Sequence, residues 1–132
     1  MSNKDVVLRY VEAFNAGDLE TLQTLFTDNA VVQGVLGWGT LDKILPIWKM
    51  LHEVLAVELI VEDMIEEGDY IAVRYRDRGT FRGEFHGVPP TGKSWEVVAM
   101  EWFEFREGKI QRRWGARDFA SQARQAGLPL PV

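Results

Sequence analysis

The chain changes its hydrophobic period once, near Ala56, and this limits its fold more than any other feature. Before that point apolar residues return every three or four positions; after it they alternate. The first spacing describes amphipathic helices and the second half-buried strands. Between residues 3 and 16, Val6, Val7, Tyr10, Val11 and Phe14 form one stripe, with Lys4, Arg9 and Glu12 opposite. Asn15-Ala16-Gly17-Asp18 ends this helix, and Asp18 caps a short second one, Leu19 to Phe26. Thr27-Asp28-Asn29 reads as a turn, Ala30 to Val35 as an apolar run, and Gly34, Gly37 and Gly39 as punctuation of a loop around Trp38. Helical spacing returns over residues 41 to 54 through Leu41, Ile44, Leu45, Trp48 and Leu51. Pro46 is placed near the first turn of that helix, where a missing N–H is tolerated.

Beyond Ala56, Val57, Leu59, Val61, Asp63 and Ile65 share one face of a strand. Glu67-Gly68-Asp69 turns it into a second strand, Tyr70 to Phe81, where Val73, Tyr75, Asp77 and Phe81 alternate with Arg74, Arg76 and Arg78. A loop from Gly83 to Ser94 leads into two long strands, Trp95 to Arg106 and Lys109 to Asp118, joined at Glu107-Gly108. Phe119 to Gln125 makes a turn or two of helix before Leu128-Pro129-Leu130-Pro131. Three helices followed by an antiparallel meander is an α+β plan, and residues 1–132 fit one domain.

A two-residue turn sets the register of the last hairpin. Phe105 then faces Ile110, Phe103 faces Arg112, Glu101 faces Trp114, Ala99 faces Ala116 and Val97 faces Asp118. One face collects Glu101, Trp114 and Asp118. The other collects Val98, Met100 and Trp102, bordered by Arg113, Arg117 and Glu104. An exposed apolar patch of that kind predicts a homodimer.

Composition narrows the partners. With 15 basic and 20 acidic residues the net charge is −5, which argues against nucleic acid and anionic membrane as partners. No apolar stretch approaches the roughly 20 residues of a membrane span, and no signal-peptide pattern opens the sequence. The absence of cysteine removes disulfides, thiol nucleophiles and thiolate metal sites, and fits a reducing cytoplasm. His52 and His86 lack ligand spacing and no phosphate-cradling glycine loop follows a strand, so neither metal nor cofactor is expected. Five tryptophans and seven phenylalanines predict an aromatic-walled cavity for a small hydrophobic molecule.

Some stretches match a known family. Arg9-Tyr10-Val11-Glu12-Ala13-Phe14-Asn15-Ala16-Gly17-Asp18-Leu19-Glu20 resembles the opening of nuclear-transport-factor-2-like domains. Gly79-Thr80-Phe81-Arg82-Gly83-Glu84-Phe85-His86-Gly87-Val88-Pro89-Pro90-Thr91-Gly92-Lys93 is similar to SnoaL-like polyketide cyclases and related ester cyclases. Gly108-Lys109-Ile110, Trp114, Asp118 and Gln125-Ala126-Gly127 extend the likeness. The resemblance implies a cone: a curved antiparallel sheet wrapped around N-terminal helices, a cystatin-like α+β barrel with a deep apolar pocket. It also implies cofactor-independent ring closure by intramolecular aldol chemistry on a carbonyl-containing, cyclic or polyketide-like substrate.

In that family an aspartate near the end of the last strand is the acid/base group, which matches Asp118 here. Glu101, on the same assigned face, and His86, an imidazole in the glycine-bounded loop, are the expected assistants. The structural alternatives are a helix cap at Asp118 and an ion pair from Glu101 to Arg112. Tyr10, Phe14, Trp38, Trp48, His52 and Trp114 are the expected substrate contacts, while Asp63 and Asp77 are expected to pair with arginines. The superfamily also holds isomerases, limonene-type epoxide hydrolases with an Asp-Arg-Asp arrangement, and binding modules without catalysis. Asp77 between Arg76 and Arg78 does not reproduce the hydrolase spacing. Asp118 inside a closed apolar cavity would mark an enzyme; Asp118 capping a surface helix would mark a binding module.

Overall fold

The computed structural model describes residues 1–129; Leu130 and Pro131 of the expected tail lie outside the described residues. Helix α1, Asn3–Ala16, begins where Asp5 N–H donates to Ser2 Oγ and Ser2 N–H donates to Asp5 Oδ2, both at 3.1 Å. This reciprocal pair satisfies two of the donors that every helix start leaves free. Gly17, at φ 69°, closes the helix in a left-handed conformation that a side chain would disfavour. Asp18 caps α2, Leu19–Thr24. Two strands follow where the sequence suggested a turn, an apolar run and a loop: β1, Phe26–Gly34, and β2, Gly37–Thr40. Helix α3 runs Leu41–Leu55 and carries Pro46 in its second turn, one turn later than expected. Then come β3 (Glu58–Glu67), β4 (Tyr70–Thr80), β5 (Ser94–Arg106), β6 (Lys109–Arg117) and helix α4 (Phe119–Ala126).

The strands form one curved, open sheet in the order β2-β1-β6-β5-β4-β3. The pairs β3–β4, β4–β5 and β5–β6 are antiparallel as expected; β1 also pairs antiparallel with β2, but it runs parallel to β6. The helices fill the hollow of the sheet. Val7, Tyr10 and Phe14 of α1 and Trp48, Leu51 and Leu55 of α3 belong to one buried cluster with Ile71, Val73, Tyr75, Phe103 and Ile110. Each large side chain so buried contributes on the order of 2 kcal/mol. The end of α1 is fixed to β3 by Asn15, whose Nδ2 donates to the Leu59 carbonyl at 2.9 Å while Leu59 N–H donates to its Oδ1 at 2.8 Å. The residue that ends the helix in sequence thus also ties it to the sheet.

Two bulges decide which residues face inward. On β6, Phe105 pairs with Ile110 but Glu104 pairs with Arg112, so Gln111 is an extra residue. Past it every β6 side chain is on the opposite face from a regular hairpin: Glu101 pairs with Gly115, Ala99 with Arg117 and Trp102 with Trp114. The expected pairings of Phe103 with Arg112, Glu101 with Trp114, Ala99 with Ala116 and Val97 with Asp118 are therefore corrected by one position. Arg113 and Arg117 turn inward, and do not border the outer patch of Val98, Met100 and Trp102. On β3 the extra residue is Glu62, which turns Met64 inward and leaves Asp63 and Ile65 outside.

Candidate functional site

Glu101 enters the interior because β5 alternates and its neighbours two positions away, Ala99 and Phe103, are core residues. Three elements bring partners to its carboxylate. Tyr10 of α1 donates its hydroxyl to Oε2 at 3.1 Å, Tyr75 of β4 donates to Oε1 at 2.8 Å, and Arg113 of β6 donates through Nη1 to Oε2. The Arg113 guanidinium also lies 5.9 Å from the Trp48 ring centroid, within reach of a cation–π contact. Gly115 makes room for it: a Cβ there would stand 2.2 Å from Arg113 Nη1.

Burial sets the protonation of this cluster. It raises the pKa of both Tyr10 and Tyr75, with the nearby Glu101 charge adding to the effect, so both phenols stay protonated donors at neutral pH. Burial works against the charge of Arg113. The Glu101 charge and hydrogen bond together with Tyr10 and Tyr75 outweigh it and hold the guanidinium pKa above its ordinary value.

A second ion pair lies further along the same face. Arg117 Nε meets Asp77 Oδ2 at 2.8 Å, with Asp77 fully buried. Desolvation raises the Asp77 pKa, and the Arg117 charge only partly offsets this. The Trp95 indole N–H lies beside Asp77 without a well-aligned hydrogen bond. This is the arginine pairing expected of Asp77. The comparable expectation for Asp63 fails, because the exposed Asp63 carboxylate accepts from Met64 N–H at 2.9 Å.

Tyr75, Glu101, Arg113 and Arg117 line a cavity of about 60 Å³ whose apolar wall includes Phe14, Ile44, Trp48 and Leu51. That volume lies well below the roughly 300–1,000 Å³ of drug-sized ligand sites. The deep pocket implied by the resemblance is here a narrow cleft, because Tyr10, Phe14 and Trp48 pack against one another at centroid distances of 6.1–6.4 Å.

The sequence-predicted residues divide accordingly. Phe14, Trp48 and Glu101 reach the cavity, and Tyr10 stands behind Glu101. Glu101 pairs with Arg113 rather than Arg112, because of the bulge. Asp118 does not join them. It is exposed and caps α4, accepting from Ser121 N–H at 3.1 Å. His86 is exposed in its loop beside Phe85, and His52 packs against Gly17 at the end of α1. Trp38 is 70% exposed on β2. Trp114 stacks under Arg112, 4.7 Å from guanidinium carbon to ring centroid, on the outer face with Trp102. The sequence reading missed Tyr75, Arg113 and Arg117 as site residues. Alternation on β4 carried the signal for Tyr75. No signal in the residues marks the bulge that turns the two arginines inward. Among the described residues no group of three or more His, Asp or Glu side chains converges as a metal site would, and no helix is long and apolar enough to cross a membrane.

Comparison with known proteins agrees with the fold. No curated protein sequence matches the chain. Among solved structures, IdmH of Streptomyces antibioticus, a candidate polyketide cyclase, is 29% identical with a TM-score of 0.85, covering 97% of this chain and 100% of its own. AclR of Streptomyces galilaeus, a candidate hydroxylase, is 24% identical with a TM-score of 0.83 over 96% of this chain and 97% of its own. A SnoaL-like protein of Jannaschia sp. CCS1 superposes with a TM-score of 0.85 at 22% identity, over 97% of this chain and 93% of its own. The last two show likeness of fold alone. The family model for SnoaL-like polyketide cyclases matches residues 4–126, and the chain belongs to that family.

Proposed function

We propose that the protein is a cofactor-independent acid/base enzyme that closes a ring in a small, hydrophobic, carbonyl-containing molecule, with Glu101 as the proton-transfer group. One observation carries this reading: a carboxylate, a phenol and a guanidinium converge on one apolar-walled cavity. Intramolecular aldol closure needs a base for a C–H proton beside a carbonyl. The enolate carbon then attacks a second carbonyl carbon, and the resulting alkoxide takes the proton back, so the reaction is an isomerisation with no atom gained or lost. Glu101 receives and returns the proton. Tyr75 and Arg113, which now donate to Glu101, are the donors this reading assigns to the oxygen where negative charge develops.

The test is Glu101→Gln, assayed on an aromatic polyketide methyl ester whose β-carbonyl side chain is not yet cyclised, following the isomeric product by chromatography and absorbance. Turnover should fall about 10²–10⁴-fold while circular dichroism shows a folded protein. Unchanged turnover overturns the role of Glu101. A second reading, a ligand-binding module without catalysis, is favoured by Asp118 capping α4 at the surface and by the narrowness of the cleft. Saturable binding of such esters by the wild type without turnover would select it.

A further inference from the structure

Proton transfer at Glu101 leaves the second ion pair without a task. Asp77 is fully buried, and neither of its oxygens has a well-aligned hydrogen bond. Its sole ionic partner among the described residues is Arg117, which starts on β6 opposite Ala99 and reaches across β5 to meet Asp77 on β4. Ala99 is short enough for the arm to pass over it. Burying a carboxylate is costly unless it is paired, so a carboxylate at this position makes physical sense as an anchor for that arm.

The contact uses the Nε side of the guanidinium. An arginine carries five N–H donors in a planar fork. Among the described residues no protein acceptor hydrogen-bonds to the Nη groups of Arg117, and the residue lines the cavity with 13% of its side chain exposed. Arg113, by contrast, already donates to Glu101. The Gly115 pair of Glu101 and the Ala99 pair of Arg117 are two residues apart on β6, about 7 Å along the sheet. The cavity therefore has a carboxylate at one station, a guanidinium whose Nη groups have no acceptor among the described residues at the next, and Trp48, Ile44 and Leu51 along its wall.

We propose that Arg117, positioned by Asp77, is the oxyanion-docking residue of this cavity, and that its ligand is a planar apolar molecule ending in a carboxylate or a comparable delocalised oxyanion. The fork matches two coplanar oxygens, and the Glu101 station repels them, which fixes the ligand's direction. The inference rests on the reading of the cavity as a ligand site.

The test is a ¹⁵N NMR titration with benzoate and with benzamide, its neutral analogue of the same shape. In the wild type both should shift amides of Ala99, Gly115 and Arg117, with benzoate bound at least about tenfold more tightly. Arg117→Gln should abolish that preference and leave benzamide affinity unchanged. Because this substitution leaves Asp77 unpaired, the double variant Arg117→Gln/Asp77→Asn, which keeps the buried site neutral, gives the same comparison if the single variant does not fold. As a positioning residue, Asp77 should protect the Arg117 Nε–H resonance from solvent exchange, and Asp77→Asn should lose that protection. A benzoate preference that survives in the double variant overturns the role of Arg117 and leaves the cavity reading standing. Persistent protection in Asp77→Asn overturns the role of Asp77. If neither ligand shifts any cavity amide, the cavity reading itself fails and the proposal with it.

Discussion

Arg113→Met would leave the Glu101 carboxylate, 10% exposed, with two phenols and no countercharge. Methionine keeps the length of the arm and packs on Trp48, so the loss is electrostatic rather than a cavity. Breaking a buried ion pair from one side costs about 3–5 kcal/mol, a large part of the roughly 5–15 kcal/mol that holds a domain together. The melting shift follows from size. At about 2.1 cal/mol/K per residue, a chain of 132 residues has an unfolding entropy near 0.28 kcal/mol/K. The variant should therefore melt about 10–18 °C below the wild type. Calorimetry at neutral pH measures this, and urea denaturation supplies the free energy.

The partner experiment is the double variant Glu101→Gln/Arg113→Met, which removes both charges of this pair. It should recover to within about 2 kcal/mol of the wild type, a coupling at or beyond the upper end of the usual 0.5–3 kcal/mol. A single-variant loss below about 1 kcal/mol, or additivity within about 0.5 kcal/mol, would mean that water reaches the pair and that the site lacks the low-polarity surroundings argued above.

Three further outcomes follow. Asp118→Ala should cost about 0.5–2 kcal/mol through the lost α4 cap, read as a small drop in melting temperature, while Asp118→Asn caps as well and leaves both stability and turnover unchanged. Asp77 gives a pH signature. Its folded pKa is raised above the ordinary 3.8 by burial, so the stability it contributes is complete below that value and is lost as pH rises through the folded value. Wild type should lose stability relative to Asp77→Asn as the pH climbs above the ordinary carboxylate value, measured by urea titrations, and a flat difference refutes the shift. Finally, Val98, Met100 and Trp102 are 50%, 55% and 51% exposed on the outer face of β5, next to the half-buried Trp114. We expect a homodimer across this face, dissociated by Trp102→Glu; a wild-type monomer at micromolar concentration in light scattering refutes it.

The local elements were legible because each is written in short-range chemistry. Gly17 ends α1, Asp18 caps α2, and Glu107-Gly108 form a hairpin turn with φ values of 51° and 80°. Residues within a few positions of one another decide such features, so the sequence by itself determines them. The family resemblance added the cone, and alternation placed Tyr75 and Glu101 inward. β1 was less visible. Its partner β6 is more than 70 residues away, and that pairing, not local propensity, makes Phe26–Gly34 a strand.

The polar site was decided by tertiary structure. One extra residue at Gln111 exchanges Arg112, Trp114 and Ala116 for Arg113, Gly115 and Arg117 on the inner face. A bulge has no residue signature of its own here; it is selected because it buries Ile110 beside Phe105 while bringing Arg113 to Glu101. Asp118 shows the same division. Its side chain could serve equally as an acid in a cavity or as a cap, and both uses are compatible with Phe119-Ala120-Ser121 after it. The sheet ends one residue earlier, at Arg117, and Ser121 N–H takes the carboxylate at the surface. Sequence fixes what a side chain can do within its own turn of backbone, and only the long-range register fixes which way it faces.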